Sequence, residues 1–309
     1  MPERRATLKD VARASGVSTA TVSFVLNETP GQTLPPATRE RVRAAAAALG
    51  YQPHGVARAL REGRSRLVLL AIGRMRGGRS LEGFIMGMGD ELQTHGYGLL
   101  VYPGASNETG HDDIVRDLRP RAVIDLAKIY AAPSDVEDGG WVDGLAAHTL
   151  AQLAHLAERG HRSIAFAVPA EIGTDGLVSL RRRFAEEAGR RLGLDDVLTI
   201  VVPDTAEDAR AVVAALRREH PATTAVAAFD DEVALRVLAS LVDLGLTAPR
   251  DLAVIGFDDS RVGATWRPAL STVRIDGRMF GRREARALLS LADEGNAGPS
   301  ATVIVRETT

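Results

Sequence analysis

Near the amino terminus, apolar residues recur at helical spacing in two short runs with a turn between them. The first run includes Leu8, Val11 and Ala12, and the pattern breaks at Ser15 and Gly16. The second run has its apolar residues at Val17, Val22, Val25 and Leu26. This spacing predicts a helix-turn-helix.

The other residues of the second predicted helix form a small, hydroxyl-rich face that contains no carboxylate. They lie mostly off the apolar stripe and are Ser18, Thr19, Ala20, Thr21, Ser23, Phe24 and Asn27. Such a face is suited to lie against DNA. Phe24 has an alternative role as a core aromatic, but its position opposite Val22 and Val25 favours the exposed face.

A third helix is predicted from Ala37 to Leu49, after Pro36, which is tolerated in a first helical turn. Its apolar stripe consists of Val42, Ala45, Ala46 and Leu49, and Gly50 stands in the stop position. Three short helices make only a minimal core. We expect this unit to be stabilised by docking on DNA or on the rest of the chain.

Beyond Arg66, short apolar or β-branched runs alternate with helical segments. The predicted strands are 67–72, 99–102, 122–126, 163–168, 197–202, 225–229 and 252–257. The predicted helices are 81–94, 145–159, 177–192, 206–219, 232–244 and 278–294. This alternation predicts a doubly wound parallel α/β body.

The composition fits a multidomain protein with an ample core, since 45% of the 309 residues are apolar and 25% are charged. The chain contains no cysteine, which excludes disulfides and thiolate metal sites. Its amino terminus has no apolar leader segment, and no run of 18 or more apolar residues follows. We expect a cytoplasmic protein without a membrane partner.

The formal net charge of −2 conceals a division along the chain. Residues 1–66 contain 11 Lys and Arg against 5 Asp and Glu, a net charge of +6. The remaining residues contain 27 against 35, a net charge of −8. A solvated basic arm would also explain the basic end, but the helix-turn-helix pattern within it favours nucleic acid.

The stretches TLKDVARASGVSTATVSFVLN at 7–27 and TRERVRAAAAALGYQPHGVARALREGRS at 38–65 resemble the LacI/GalR family of bacterial transcription regulators. The resemblance implies that the second helix enters the major groove of DNA, where Thr19, Ala20 and Phe24 choose the bases. Thr19 has a hydroxyl and a methyl group to offer, whereas Ala20 and Phe24 suit thymine methyl groups. The residues suited to phosphate contacts are Ser18, Thr21, Ser23 and Asn27.

Residues 53–60 (PHGVARAL) resemble the hinge helix of that family, which folds when two copies meet on the operator. The resemblance assigns Leu60 as the leucine that wedges into the minor groove at a central base step. Because His54 and Gly55 replace better helix formers, we expect the hinge to be disordered off DNA. A plain amphipathic linker is the alternative.

The carboxyl half contains further motifs that resemble those of the family. They are GHRSIAF at 160–166, FDDEVAL at 229–235 and VIGFDDS at 254–260. The resemblance implies an α/β periplasmic-binding-protein-like body of two Rossmann-like lobes with an effector cleft between them. Asp230 and Asp258 are expected at strand ends that face this cleft.

Together these patterns predict an all-α helix-turn-helix DNA-binding domain at 1–53, a hinge at 54–66 and an effector-binding-like dimerisation body at 67–309. The first lobe of the body is expected at about 67–159 and 276–295. The second lobe is expected at about 160–275 and 296–309.

The amino-terminal lobe departs from the pattern of family members that bind sugars. A basic, glycine-rich loop, GRMRGGR at 73–79, replaces their aspartate and aromatic turn. The chain between 126 and 142 is too short for the usual helix and strand, so one βα unit is expected to be eroded. Leu180 falls at the place of the family's arginine, which leaves Arg181 as a shifted candidate for the cleft.

Arg74 in this loop is a candidate for binding an anionic effector such as a phosphorylated metabolite, because guanidinium groups and glycine amides suit phosphate. A solvated or dimer-facing loop is the alternative.

Motifs for catalysis are missing from the sequence, which has no Gly-x-Ser-x-Gly elbow, Walker loop or His-Glu-x-x-His. His111, Asp112 and Asp113 are expected in a polar loop before a helix and lack partners at ligand spacing. We therefore predict no enzyme, no metal and no cofactor.

The sequence favours a dimeric repressor that binds a pseudo-palindromic double-stranded operator at the bacterial nucleoid. A small-molecule effector, either a sugar or an anionic metabolite, is expected to release or tighten it. A second hypothesis is a ligand-independent regulator whose degenerate body serves dimerisation or contact with a partner protein. A third is a metabolic enzyme on the same fold.

Overall fold

The structure is a computed structural model that describes residues 6–26, 34–51, 65–73, 78–104, 109–131, 141–170, 175–292 and 301–309. Its contacts divide the chain into two compact units, Met1–Arg66 with Asp117–Arg121, and Leu67–Arg116 with Ala122–Thr309. Within the described ranges, no helix is both long enough and apolar enough to cross a membrane.

The amino-terminal unit contains the helices α1 (Leu8–Ser15), α2 (Thr19–Leu26) and α3 (Pro36–Ala48). A capping box begins α1, because Thr7 Oγ1 accepts a hydrogen bond from the backbone N–H of Asp10 and the Asp10 carboxylate accepts one from the backbone N–H of Thr7. Gly16 ends α1 at φ 66°, a left-handed conformation that glycine adopts without strain. The predicted helix-turn-helix and third helix are confirmed.

These three helices enclose a small core of their own. Its buried residues are Val11, Ala12, Val22, Val25, Val42 and Ala46. Leu49, which the sequence pattern placed on the core stripe, is instead 41% exposed just after α3 ends. The core is therefore as small as the sequence predicts, and it depends on a few valines.

The body alternates strands and helices in chain order. Its first part comprises β1 (Leu67–Ala71), α4 (Arg79–Thr94), β2 (Gly98–Tyr102), α5 (Thr109–Leu118), β3 (Ala122–Asp125) and α6 (Leu126–Ala131). Its middle part comprises α7 (Trp141–Glu158), β4 (Ile164–Pro169), α8 (Asp175–Leu192), β5 (Leu198–Val202), α9 (Ala206–Glu219), β6 (Ala225–Ala228), α10 (Asp231–Asp243) and β7 (Ala253–Ile255). The last elements are α11 (Arg261–Thr265), β8 (Thr272–Arg274), α12 (Gly277–Leu288) and β9 (Thr302–Ile304).

Two parallel sheets define the two lobes of the body. The first lobe is built on the strand order β2-β1-β3 and the second on β5-β4-β6-β7, while β8 and β9 form an antiparallel pair. Leu70 at the middle of the first sheet lies beside Val101 on one side and Ile124 on the other. A strand that is covered on both faces has a continuous apolar sequence, as these parallel strands do. The predicted doubly wound α/β body is confirmed.

Helix α7 contacts both lobes, since His148 lies beside Phe280 of α12 and Gln152 bonds to the second sheet. Gln152 Nε2 donates hydrogen bonds to Ala228 O at 2.8 Å and to Gly256 O at 2.9 Å, beyond the ends of β6 and β7. Leu153 is fully buried in the same apolar cluster as Ile164 of β4. The same cluster also contains Leu70 of β1, so the lobe boundary expected at 159 stays a prediction.

The first sheet is short. Among the described residues it has three strands, and the chain passes from β3 directly into the short helix α6. His111 lies within α5 and not in a loop as expected, with its ring buried against Tyr102 at a centroid distance of 5.6 Å. No cluster of histidine and acidic side chains in the described part of the chain could hold a metal ion.

Helix α12 returns to the first lobe and packs on α4 backbone to backbone. A Cβ atom at Gly87 would overlap the carbonyl group of Arg278, and one at Gly281 would overlap the carbonyl group of Phe84. Only glycine permits this approach. The ion pair between Arg286 and Glu91, at 2.8 Å, joins the same two helices and completes the first lobe.

Candidate functional site

The beginning of α2 presents an exposed polar surface. Ser18, Thr19 and Ala20 are exposed, and the Ser18 hydroxyl oxygen accepts a hydrogen bond from the backbone N–H of Thr21 at 3.1 Å. Ser18 therefore caps the helix, as its hydroxyl type favours. The cap fixes the direction in which the exposed residues that follow it are presented.

Phe24 lies outside the core of the amino-terminal unit. Its neighbours Val22 and Val25 are buried in that core, whereas Phe24 is only partly buried and is not part of the cluster. Arg41 of α3 fixes the end of α1, because its Nε donates to Ser15 O at 2.9 Å. The helix pair thus presents an aromatic ring that its packing does not require.

Several predicted site residues lie outside the described residues. They are Asn27 of the second helix, Leu60 of the hinge and Arg74 of the basic loop. Thr21 and Ser23 are described and are partly buried on α2.

A second candidate site is a cavity of about 430 Å³ in the body, at the carboxyl ends of the strands. Its apolar walls come from both lobes and consist of Leu81, Leu145, Leu177, Phe229, Leu235, Phe257, Val262 and Ile275. Its charged and hydroxyl groups are Arg79, Ser80, Arg181, Asp230, Asp231, Glu232, Asp258 and Ser260. The structure thus brings three of the predicted cleft residues, Arg181, Asp230 and Asp258, to one cavity.

Arg181 forms part of the inner wall of this cavity and is 1% exposed. Its guanidinium carbon lies 3.5 Å from the centre of the Phe257 ring, a cation–π contact. The two terminal nitrogens donate to Phe229 O and, at 3.0 Å, to Gln152 Oε1. Burial lowers the pKa of Arg181 to about 9, while Asp230 and Asp258 act in the opposite direction.

Asp230 stands at the end of β6 and caps α10. Its Oδ1 accepts a hydrogen bond from the backbone N–H of Val233 at 2.7 Å. Burial raises the pKa of this carboxyl, and Glu232 adds repulsion. The neighbouring Asp231 also lines the cavity and accepts hydrogen bonds from Thr272 Oγ1 and the backbone N–H of Ser260.

Asp258 connects the two lobes across the cavity. Its Oδ1 accepts hydrogen bonds from the hydroxyl of Ser80 and, at 2.7 Å, from the backbone N–H of Ser80 in the first turn of α4. Burial raises the pKa of Asp258 to about 6, against the hydrogen bonds from Ser80, which lower it.

Asp259 is buried beside the cavity and is an ion-pair centre that sequence reasoning missed. It pairs with Arg274 at 2.8 Å, with Arg306 at 2.6 Å and with Arg79 at 3.5 Å. Burial alone would raise the pKa of Asp259. The hydrogen bonds from Arg306 and Arg274 instead hold this pKa below its ordinary value. Nothing in the local sequence pairs residues 79, 274 and 306, so only the tertiary structure reveals this centre. The same holds for Ser80 as the partner of Asp258.

Two family models match the chain. "Bacterial regulatory proteins, lacI family" matches residues 7–54, and "Periplasmic binding protein-like domain" matches residues 153–309. The first match contains the helix-turn-helix, and the second contains Arg181, Asp230 and Asp258.

Similar proteins align over most of the chain. The HTH-type transcriptional regulator GalR of Escherichia coli (strain K12) is 29% identical over 312 residues, with coverage of 93% of this chain and 90% of GalR. The ribose operon repressor of Bacillus subtilis (strain 168) is 30% identical over 304 residues, with coverage of 93% and 91%. The crystal structure of the lac repressor dimer bound to operator and the anti-inducer ONPF has a TM-score of 0.73 at 23% identity and covers 99% of both chains. That likeness establishes the fold.

Proposed function

We propose, from the premise that this chain belongs to the lacI family of bacterial regulatory proteins, that it is a repressor whose affinity for an operator is set by a small molecule bound in the cavity of its body. As a family member it is a DNA-binding transcriptional regulator. The observation that carries the proposal is the joint presence of an exposed, carboxylate-free face on α2 and a cavity of about 430 Å³ at the strand ends.

Bases are proposed to be chosen by Thr19, Ala20 and Phe24. Thr19 and Ala20 are exposed in the first turn of α2, and Phe24 is available because the core excludes it. A small residue and an aromatic ring suit thymine methyl groups, so we expect an operator with A·T pairs where these residues lie. The proposed phosphate contacts are Ser18, Thr21, Ser23 and Asn27.

A homodimer is the form proposed to bind the operator. The two copies of α2 in the dimer bind successive half-sites of a pseudo-palindrome, as in other DNA-binding proteins with two-fold symmetry. Leu60 of each hinge is proposed to wedge into the minor groove between the half-sites.

A small molecule is proposed to control this binding through the two lobes. Ser80 belongs to the first lobe and Asp230 and Asp258 to the second, so a ligand among them contacts both. A ligand that binds one arrangement of the lobes more tightly than another increases the fraction of protein molecules in that arrangement. The hinges are proposed to fold or melt in response.

The body is proposed to bind its ligand without catalysis. Asp230 caps α10, Asp231 is hydrogen-bonded on both oxygens and Asp258 caps α4, so these acids are held in structural bonds. The place of action is proposed to be the cytoplasm, at the nucleoid, since the operator is there.

Selection of bound DNA from a random pool, with the full chain, tests this function. We expect a pseudo-palindromic site. Leu60→Ala should weaken binding to that site at least tenfold, which is about the effect of one mismatched base pair. Binding of the variant to unrelated DNA should stay within twofold. Leu100→Ala, a partly exposed leucine on β2, is the matched control and should bind as the unaltered chain does. Recovery of no common sequence would contradict the proposal.

Binding measurements with the same operator distinguish control by a small molecule from a ligand-independent regulator. Operator affinity is measured alone and with a panel of sugars, sugar phosphates and amines. A change with at least one class supports control by a small molecule. An affinity that no class changes, together with no shift in thermal unfolding, favours a body that serves dimerisation only.

A further inference from the structure

The charged groups that line the cavity are predominantly negative. Four carboxylates, Asp230, Asp231, Glu232 and Asp258, face two guanidinium groups, Arg79 and Arg181. The sum, four negative charges against two positive charges, is −2 if all are ionised. The cavity therefore has an excess of negative charge before any ligand enters.

Both guanidinium groups of the cavity already have partners in the protein. Arg181 lies against the ring of Phe257 and donates to Thr149 Oγ1, Phe229 O and Gln152 Oε1, so three of its five N–H groups are held by the protein. Arg79 is more than half exposed and donates to Asp259 O at 3.2 Å. An anion in the cavity would be repelled by the excess of carboxylates.

One carboxylate oxygen of the cavity, Oδ2 of Asp230, remains available as an acceptor. Asp230 uses Oδ1 for the N–H of Val233, and Asp258 uses Oδ1 for both bonds from Ser80. Within the part of the chain that the structure describes, Oδ2 of Asp230 accepts no hydrogen bond, whereas Asp258 also accepts one from the backbone N–H of Arg79 and places its Oδ2 against Gly78. Among the described residues, Asp258 bonds to Ser80 of the other lobe, whereas the hydrogen bond of Asp230 stays within its own lobe.

The rest of the wall is aliphatic and aromatic. Leu81 and Leu145 lie on one side, and Phe229 and Phe257 lie close to Arg181. Apolar walls bury the carbon skeleton of a ligand and also strengthen an ion pair by excluding water. A negative charge in such surroundings is unfavourable unless a cation pairs with it.

We propose that the cavity binds a ligand in which a protonated amine is attached to an apolar ring or chain, with Asp230 as the anion that pairs with the amine. The inference rests on the proposed control by a small molecule and names the class of that molecule. It differs from a sugar, which carries no charge, and from a phosphorylated metabolite, which carries the opposite charge. Asp258 is held by Ser80 and by the backbone N–H of Arg79, and it contributes negative charge to the site without accepting a donor from the ligand.

Three probes that share one ring test the charge directly. They are cyclohexylmethylamine, cyclohexylmethanol and cyclohexanecarboxylate, titrated into the full chain at pH 7.5 with ligand-observed NMR. We expect the amine to bind about tenfold more tightly than the alcohol, the size of one charge-assisted hydrogen bond, and the carboxylate to bind most weakly.

Asp230→Asn should remove the preference for the amine and leave binding of the alcohol within twofold. The substitution keeps the helix cap, because asparagine caps as well as aspartate does. Asp195→Asn removes the same charge from an exposed position before β5 and is the matched control, which should keep the preference. Circular dichroism and thermal unfolding confirm that both variants are folded.

Equal or tighter binding of the alcohol or the carboxylate overturns the inference, as does absence of amine binding or an amine preference that survives Asp230→Asn. These failures are distinguishable from failure of the proposed function. If the alcohol or carboxylate binds best and changes operator affinity, control by a small molecule stands and only the ligand class is wrong.

Discussion

Asp258 of the second lobe caps the first turn of α4 in the first lobe by accepting two hydrogen bonds from Ser80, one of them from the backbone N–H at 2.7 Å. Asp258 has φ 108°, a conformation that L residues rarely adopt, so the backbone is strained where the carboxylate reaches across the cavity. An acid that the sequence assigns to the ligand cleft therefore also joins the lobes.

Ser80→Ala is expected to destabilise the body by about 1 to 3 kcal/mol, because a hydrogen bond to a charged group is lost while the backbone N–H still donates. Urea unfolding followed by circular dichroism measures the change. Thr94→Ala removes a hydroxyl that bonds only within α4 and should change the unfolding free energy by less than about 0.5 kcal/mol. Equal effects of the two substitutions would show that the link between the lobes contributes nothing.

Asp258→Asn is expected to alter the pH dependence of stability. Burial raises the folded-state pKa of Asp258 to about 6 from an ordinary value of 3.8, so between about pH 4 and 6 the folded chain holds a proton that the unfolded chain has released. The free energy of unfolding that Asp258 contributes therefore falls as the pH rises through this window, by up to about 3 kcal/mol. Asparagine removes this fall and still accepts the hydrogen bonds from Ser80.

Urea unfolding of the unaltered chain and of Asp258→Asn at pH 4.5, 6 and 7.5 tests the direction of this pH dependence. The two chains have all other titrating groups in common, so their difference in stability reports on Asp258. The stability of the variant relative to the unaltered chain should increase with pH. A constant difference would contradict a raised pKa for Asp258.

Arg181→Met is expected to destabilise the body by about 3 kcal/mol or more. The substitution leaves Phe229 O and Gln152 Oε1 without their donor in a buried place, although it fills much of the same volume. Thermal unfolding measures the loss. Arg182→Met, at the next position and half exposed, should be nearly neutral, and a similar effect at both positions would refute the assigned role of Arg181.

Phe24→Ala is expected to lower the preference for the selected operator over unrelated DNA by about 1 to 3 kcal/mol, the usual size of one base contact, with little loss of stability. Val22→Ala should instead unfold the small amino-terminal core, because Val22 is fully buried there, and should weaken all DNA binding. Electrophoretic mobility shift on both DNAs distinguishes the two. Unfolding of the unit by Phe24→Ala would mean that the ring serves the core.

Local patterns were sufficient for most elements of the fold. The spacing of apolar residues predicted α1, α2 and α3, and apolar runs predicted the seven parallel strands within one or two residues of their ends. One expectation that failed concerns His111, which was placed in a loop but lies within α5 with its ring buried against Tyr102. Which sheet covers a helix is decided by contacts between distant segments.

The sequence by itself determined that this protein carries a helix-turn-helix and a doubly wound body, because both follow from local spacing and from family phrases around Thr19, Asp230 and Asp258. Only the tertiary structure decided what the acids and the arginine do. It enclosed Arg181 among aromatic rings, bonded Asp258 to Ser80 and left one oxygen of Asp230 open to the cavity. The physical reason is that charge in a cavity depends on which donors the folded chain has already used, and those donors come from residues far apart in sequence.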